Sequence, residues 1–157
     1  NFIEMIRISE SILTFEKIHA EMIWKSKIPN FIKQINSMNQ KANYLHNEIV
    51  FFYEDLINTS TKKTLPKILN LEPFNVFEIA INSTKSKLEE GVIHSLSSIY
   101  GILERIKWLK KENICLFDLT FSPLIPKIEQ LCLSENKKVA ENCKIVIDKY
   151  KEVTLDY

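Results

Sequence analysis

The chain has almost no glycine. Gly91 and Gly101 are the two in 157 residues, and that scarcity excludes most folds that rely on tight glycine turns or on backbone brought close to a phosphate. Sandwiches, barrels and nucleotide-binding α/β folds are set aside on this ground, leaving helices joined by short polar loops. Cysteine is sparse as well. Cys115, Cys132 and Cys143 are odd in number and lack C-x-x-C spacing, which argues against a disulfide framework and for buried small hydrophobes in a reducing compartment. No apolar run reaches the roughly 18 residues of a membrane span; the densest cluster is "IVFFY" at 49–53. Neither sign of charge dominates. Lysine and arginine total 21 against 20 aspartates and glutamates, a net charge of +1, so no global field draws the chain to nucleic acid or to an anionic membrane.

What is present is an ordinary globular composition, 45% hydrophobic and 26% charged, in a length that suits one domain with a single core. The chain starts at Asn1 without an initiator methionine or a leader. It is expected to be a piece of a longer protein, cytoplasmic and without cofactors.

Apolar residues recur at helical spacing over 2–24. "KIPNF" breaks that stripe, since the residue before a proline leaves the α region and Pro29 suits the first turn of a helix. A second stripe runs over about 31–58, as one long helix or as two meeting near Lys41. "NTSTKKT" at 58–64 reads as a loop and 65–71 as a short helix. Another helix starts at Pro73, with Phe74, Phe77, Ala80 and Ile81 on one face. Ser86, three residues before Glu89, forms a capping-box pattern. It opens a helix of about 24 residues, marked by Leu88, Val92, Leu96, Ile99, Leu103 and Ile106 and expected to end in "WLKKEN". A short connecting segment, "ICLFDL", leads to Ser122 and Pro123 as N-cap and first helical residue. Leu124, Ile128, Leu131 and Cys132 face one way on that helix, and a last helix after 134–137 carries Val139, Cys143, Val146, Ile147, Tyr150 and Val153.

One turn is written twice. "NSTKSKLEEGV" at 82–92 and "LSENKKVAENC" at 133–143 align at an offset of 51, which is 139 minus 88. Under that offset Phe74 meets Ile125, Phe77 meets Ile128, Ala80 meets Leu131, Ile81 meets Cys132, Leu88 meets Val139, Val92 meets Cys143 and Leu96 meets Ile147. Every pair is apolar. The chain therefore reads as a single all-α domain over 1–157, with antiparallel helical hairpins at about 73–108 and 123–153. They stack as a short HEAT/armadillo-like α-solenoid or as an irregular helical bundle.

Such folds present ridges and grooves to other proteins more often than catalytic clefts. Lysine pairs fall in successive turns: Lys62 and Lys63, Lys85 and Lys87, Lys110 and Lys111, Lys137 and Lys138. Alternate turns share an end, which predicts one basic edge with Lys85, Lys87, Lys137 and Lys138 and another with Lys62, Lys63, Lys110 and Lys111. Such an edge holds an acidic partner by a screened attraction, although solvated turns are rich in lysine anyway and Glu89, Glu90, Glu112 and Glu135 are interleaved. Trp24 and Trp108 each stand beside a lysine near a helix end. Closing the core edge is the plainer role for such a ring; Trp108 is the better anchor for a partner peptide, because Ile106 and Leu109 already carry its stripe. Catalytic, cofactor and metal sites are not expected. His19, His46 and His94 stand i,i+4 from no histidine or cysteine, Glu89 and Glu90 diverge as adjacent helix residues, and Cys143 lies on an apolar stripe.

Residues 112–150, "ENICLFDLTFSPLIPKIEQLCLSENKKVAENCKIVIDKY", resemble the centre of the C-terminal helical domain of the katanin regulatory, WD-repeat-bearing subunit. The likeness is carried by Leu116, Phe117, Asp118, Pro126, Ile128, Glu129, Ser134, Val139 and Cys143. A fainter likeness covers "MIWKSKIPNFIKQINSM" at 22–38, and 42–90 has no clear counterpart. The resemblance implies a non-catalytic domain that pairs with the N-terminal helical domain of a microtubule-severing AAA ATPase and engages microtubules, and so a cytoskeletal place in the cytoplasm. Two other readings stay open: a generic HEAT/armadillo-type scaffold for a peptide or helical partner, and an all-α enzyme or lipid-binding bundle with its polar site inside.

Overall fold

A computed structural model of the chain describes residues 3–8, 22–38, 44–83 and 89–155. Among these the structure is all-helical, with no strand. Short helical stretches cover 3–8 and 22–25. They are followed by α1 (Ile28–Met38), α2 (Tyr44–Asn58), α3 (Leu65–Asn70), α4 (Pro73–Ile81), α5 (Glu89–Glu104), α6 (Lys111–Phe121), α7 (Ile125–Leu131) and α8 (Lys137–Leu155). Single 3₁₀ turns lie at Ile106–Trp108 and Ser122–Leu124. Proline opens α3, α4 and α7, where it removes an amide that has no partner in the helix. Asn136 caps α8, its side-chain oxygen accepting from the Lys138 and Val139 amides at 3.0 and 3.3 Å. Residues 9–21 of the helix expected over 2–24, the junction near Lys41, and Ser86 with its capping box lie outside the described residues.

Helices α2, α5 and α8 form one layer with α5 in the middle, and α4 lies against both α2 and α5. Asn47 approaches Gly91 near the starts of α2 and α5, while Ile57 and Asn58 approach Gly101 near their ends, so the two run parallel. At the starting end the Asn136 side-chain amide donates to Glu89. At the finishing end Ile106 and Val153 share a cleft, which makes α8 parallel to α5 as well. Parallel neighbours need an antiparallel return between them. α4 supplies it between α2 and α5, and α7 packs against α8 as the first arm of the next hairpin. Stacked hairpins give this arrangement, whereas neighbours in an up-and-down bundle alternate in direction.

The core fills the seams of that layer. Phe52, Tyr53 and Leu56 of α2, Phe77 of α4, Leu96, Ile99 and Ile102 of α5 and Cys143 of α8 are fully buried. Of the residue pairs matched by the offset, Phe77 and Ile128, Val92 and Cys143, and Leu96 and Ile147 are buried on both sides. Phe74, Ala80 and Ile81 are buried where Ile125, Leu131 and Cys132 are half-buried, so the first hairpin is the deeper one. No helix among the described residues is long and apolar enough to cross a membrane.

Two stretches depart from the periodicity. α5 stops at Glu104 rather than in "WLKKEN". Arg105 Nη1 donates to the Gly101 carbonyl at 3.0 Å, and the chain tightens to bonds three residues apart, Trp108 on Arg105 at 2.9 Å and Leu109 on Ile106 at 3.0 Å. A 3₁₀ turn repeats every three residues, so it buries Ile106 and Leu109 together. Lys110 is extended and Lys111 opens α6, which moves this lysine pair to a helix start. "ICLFDL" is no connector but the middle of α6. Ser122, expected as an N-cap, has helical backbone, and α6 passes through the 3₁₀ turn into α7 with no capping side chain between them.

Candidate functional site

α6 rests on the body along one line, the i, i+3, i+7 row of Ile114, Phe117 and Phe121, of which only the phenylalanines are buried. Phe117 and Phe121 stack with ring centroids 5.5 Å apart. Phe74 of α4 meets Phe117 edge-on at 5.3 Å, and Tyr150 of α8 meets Phe121 at 5.2 Å. Such pairs contribute about 0.5–1.5 kcal/mol each beyond the area they bury, enough to seat a short helix. The outer side of α6 carries Leu116 and Leu119, 55% and 75% exposed and one helical turn apart.

A cleft lies along each flank of this leucine ridge, with Phe117 as the wall between them. The cleft toward α8, about 360 Å³, has Ile106, Ile114 and Val153 on its apolar side and Asp118 and Tyr150 on its polar side. The Tyr150 hydroxyl donates to Asp118 Oδ1 at 2.7 Å. Burial and then this bond push the phenol pKa up. The cleft toward α3 and α4, about 220 Å³, lies between Leu69, Phe74 and Leu116 and is edged by Glu72 and Asn113. Glu72 has φ 57° and ψ 51°. As the residue before Pro73 it is pushed out of the right-handed helical region, and the left-handed one lets α3 turn into α4 within two residues.

A second polar cluster lies between α2 and α5. His94 Nδ1 stands 2.9 Å from Glu54 Oε2, with the Phe51 ring edge-on at 4.6 Å. The Glu54 hydrogen bond raises the His94 pKa against the burial that lowers it. Asp55 is pushed up to about 6, by burial first and then by the charge of Glu54. Ser98 gives its hydroxyl to the His94 carbonyl at 2.7 Å, so the imidazole and this serine do not form a base–nucleophile pair. Deeper in, His46 Nε2 lies 2.8 Å from the Val76 carbonyl, and burial lowers its pKa. Among the described residues no group of three or more His, Cys, Asp or Glu is placed to hold a metal ion.

Lys137 and Lys138 are exposed at the start of α8, beside Glu89 on the first turn of α5; Lys85 and Lys87 lie outside the described residues. Lys62, Lys63, Lys110 and Lys111 are exposed at the opposite end of the layer, where α2 and α5 finish. Trp108 is half-buried against the core with the Arg105 guanidinium carbon 5.7 Å from its ring centroid, so the chain itself covers part of the ring. Trp24 packs on the core in the same way. Cys143 lies in the core, where burial pushes its thiol up to about 12, and Cys115 is exposed. The leucine ridge and its clefts went unread in the sequence. The available signal was the spacing of Ile114, Phe117 and Phe121, which Leu116 and Leu119 blur because they face outward.

The chain matches no protein-family model and no curated protein.

Proposed function

We propose that this domain is a non-catalytic protein-interaction module that docks a helical partner on the outer face of α6. The observation that carries the reading is the exposure of Leu116 and Leu119 between two clefts that share Phe117 as their wall. A ridge flanked by grooves is the complement of another helix surface, and apolar anchors set in grooves supply most of the affinity in such contacts. Of the residues that carry the resemblance to the katanin regulatory subunit, Leu116 lies on this face, Asp118 lines a flanking cleft and Phe117 is the wall beneath. The partner proposed is accordingly the N-terminal helical domain of a microtubule-severing AAA ATPase. Lys137 and Lys138, with Lys85 and Lys87 of the preceding turn, are proposed as the basic contact to an acidic microtubule surface.

Calorimetric titration of the chain with that N-terminal domain should give roughly micromolar affinity. Leu116→Asp combined with Leu119→Asp should weaken it at least tenfold, and retention of affinity would move the site off α6. Absence of binding at roughly 100 micromolar would remove the severing ATPase as the partner. Co-sedimentation with microtubules should fall with ionic strength and with Lys137→Glu and Lys138→Glu, as a screened contact requires. A generic scaffold for an extended peptide is the second reading. It is favoured by the size of the clefts, each of which takes one or two side chains rather than a whole helix.

A further inference from the structure

The cleft between α6 and α8 is lined mainly by apolar side chains, with Asp118, Tyr150 and Thr154 as its polar groups. Among the described residues Asp118 is the only charged side chain on its wall. The Tyr150 hydroxyl occupies one position on Oδ1. That bond orients the carboxylate and leaves its other oxygen for an incoming donor. No basic side chain among the described residues forms an ion pair with Asp118. The approach to it is lined by Ile106, Ile114, Val153 and the Phe117 ring. At about 360 Å³ the cleft lies at the small end of the roughly 300–1,000 Å³ typical of ligand sites.

A ligand that fits this lining is apolar along its length and cationic, with several N–H donors, at its tip. An anion would meet Asp118 unfavourably, and a metal ion would find a single carboxylate. Lysine and arginine have the required form, since both lay an aliphatic stem on apolar surface and hold the charge at the end. Arginine also brings a planar fork that matches a carboxylate and stacks on aromatic rings, here Phe117 and Tyr150.

We propose that the α6–α8 cleft receives one basic side chain of a partner segment, arginine in preference to lysine, with its cation on Asp118 and its stem along Ile114 and Val153. This deepens the interaction-module reading and rests on it. The leucine ridge beside the cleft then takes the apolar residues that flank the arginine in the partner.

Cys115 lies in the wall of the same cleft and is exposed, Cys132 is half-buried outside the cleft and Cys143 is buried, so alkylation resolved to Cys115 by peptide mass reports occupancy. N-acetylarginine amide should slow alkylation of Cys115 by iodoacetamide at least threefold, half-maximally at roughly millimolar concentration. N-acetyllysine amide should protect less. The citrulline analogue, of the same shape but uncharged, should not protect. Asp118→Asn should abolish protection by arginine, with the fold checked by circular dichroism and melting temperature; Tyr150→Phe, which releases the carboxylate, should weaken it severalfold. Equal protection by citrulline, no protection by arginine, or unchanged protection in a folded Asp118→Asn chain would each overturn the proposal. The ATPase-domain titration separates this from the wider reading. Binding that persists in Asp118→Asn alongside failed arginine protection overturns the cleft alone, whereas arginine protection without ATPase-domain binding leaves the cleft standing and removes that partner.

Discussion

Of the sixteen residues of α5 nine are buried, whereas of the eleven of α6 only Phe117 and Phe121 are. The two helices follow one another in the chain, separated by one 3₁₀ turn. What differs is the number of neighbours. α5 is packed by α2, α4 and α8. Small residues serve it where those neighbours come close: Asn47 and Ala80 at Gly91, and Ile57 at Gly101. α6 meets the body along a single aromatic row and keeps two leucines in water. A helix enclosed on three sides is defined by fit, and any change of volume is felt by all its neighbours. A helix seated along one row has apolar residues left over for a partner.

The largest expected effect tests the enclosed helix. Leu96 is fully buried in the seam of α5, and Leu96→Ala should cost about 3–4 kcal/mol by chemical denaturation. A loss under about 1 kcal/mol would mean that the layer relaxes around α5 and that the contrast with α6 is overdrawn. Next comes Gly91→Ala. Alanine in a helix ordinarily gains about 1 kcal/mol over glycine. Here the added methyl would collide with Asn47 Oδ1, and Asn47 is itself buried in the α2–α5 seam. The expected outcome is a loss of about 1–2 kcal/mol. Asn47→Ala in the same chain should recover it, because it removes both the obstruction and an acceptor buried without a partner among the described residues. A double-mutant cycle measures that coupling.

The rim of α5 should respond to pH. His94 has a folded pKa raised above 6.5, so its contribution is complete below about 6.5 and is lost as pH rises through the raised value. Asp55 goes from 3.8 to about 6 on folding, so the native state holds its proton between those values and its contribution also falls as pH rises across that window. The groups that act on them are Glu54, Glu90 and one another. Stability measured from pH 4 to 8 should therefore decline on this account. Asp55→Asn should flatten the lower part of the curve and His94→Gln the upper part; curves that superpose on the parent would overturn the assignment. The smallest effect belongs to α6. Leu119→Ser should change stability by less than about 0.5 kcal/mol while weakening partner binding, and a larger loss of stability would show that the ridge supports the fold itself.

Local pattern made much of the fold legible. Pro29 stands in the first turn of α1 and Pro73 opens α4, where the proline signal places them, and the α8 stripe of Val139, Cys143 and Val146 faces the core as its 3.6-residue spacing requires. The echo between 82–92 and 133–143 acquires a physical link in the bond from Asn136 to Glu89, which joins the second turn to the first. Glu89 at the start of α5 thus accepts from the next hairpin. The misreadings have a common cause. The end of α5 and the existence of α6 depend on which apolar residues find neighbours: Ile106 and Leu109 do, and so the chain tightens to bury both. Leu116 and Leu119 do not, and their outward positions hide the row beneath them.

The amino-acid sequence by itself determined that this chain is all-α, where α1, α3, α4 and α8 open, and which face of each long helix turns inward. Those are properties of residues within a few turns of one another, set by backbone preference and by the period of the apolar stripe. Only the tertiary structure decided that α2, α5 and α8 lie parallel, that α5 is enclosed while α6 is not, and that Asp118, Tyr150 and Ile106 meet at one cleft. Depth and convergence depend on how many neighbours a helix acquires. That number is a property of the assembled layer, because the residues that meet in it lie tens of positions apart in the chain.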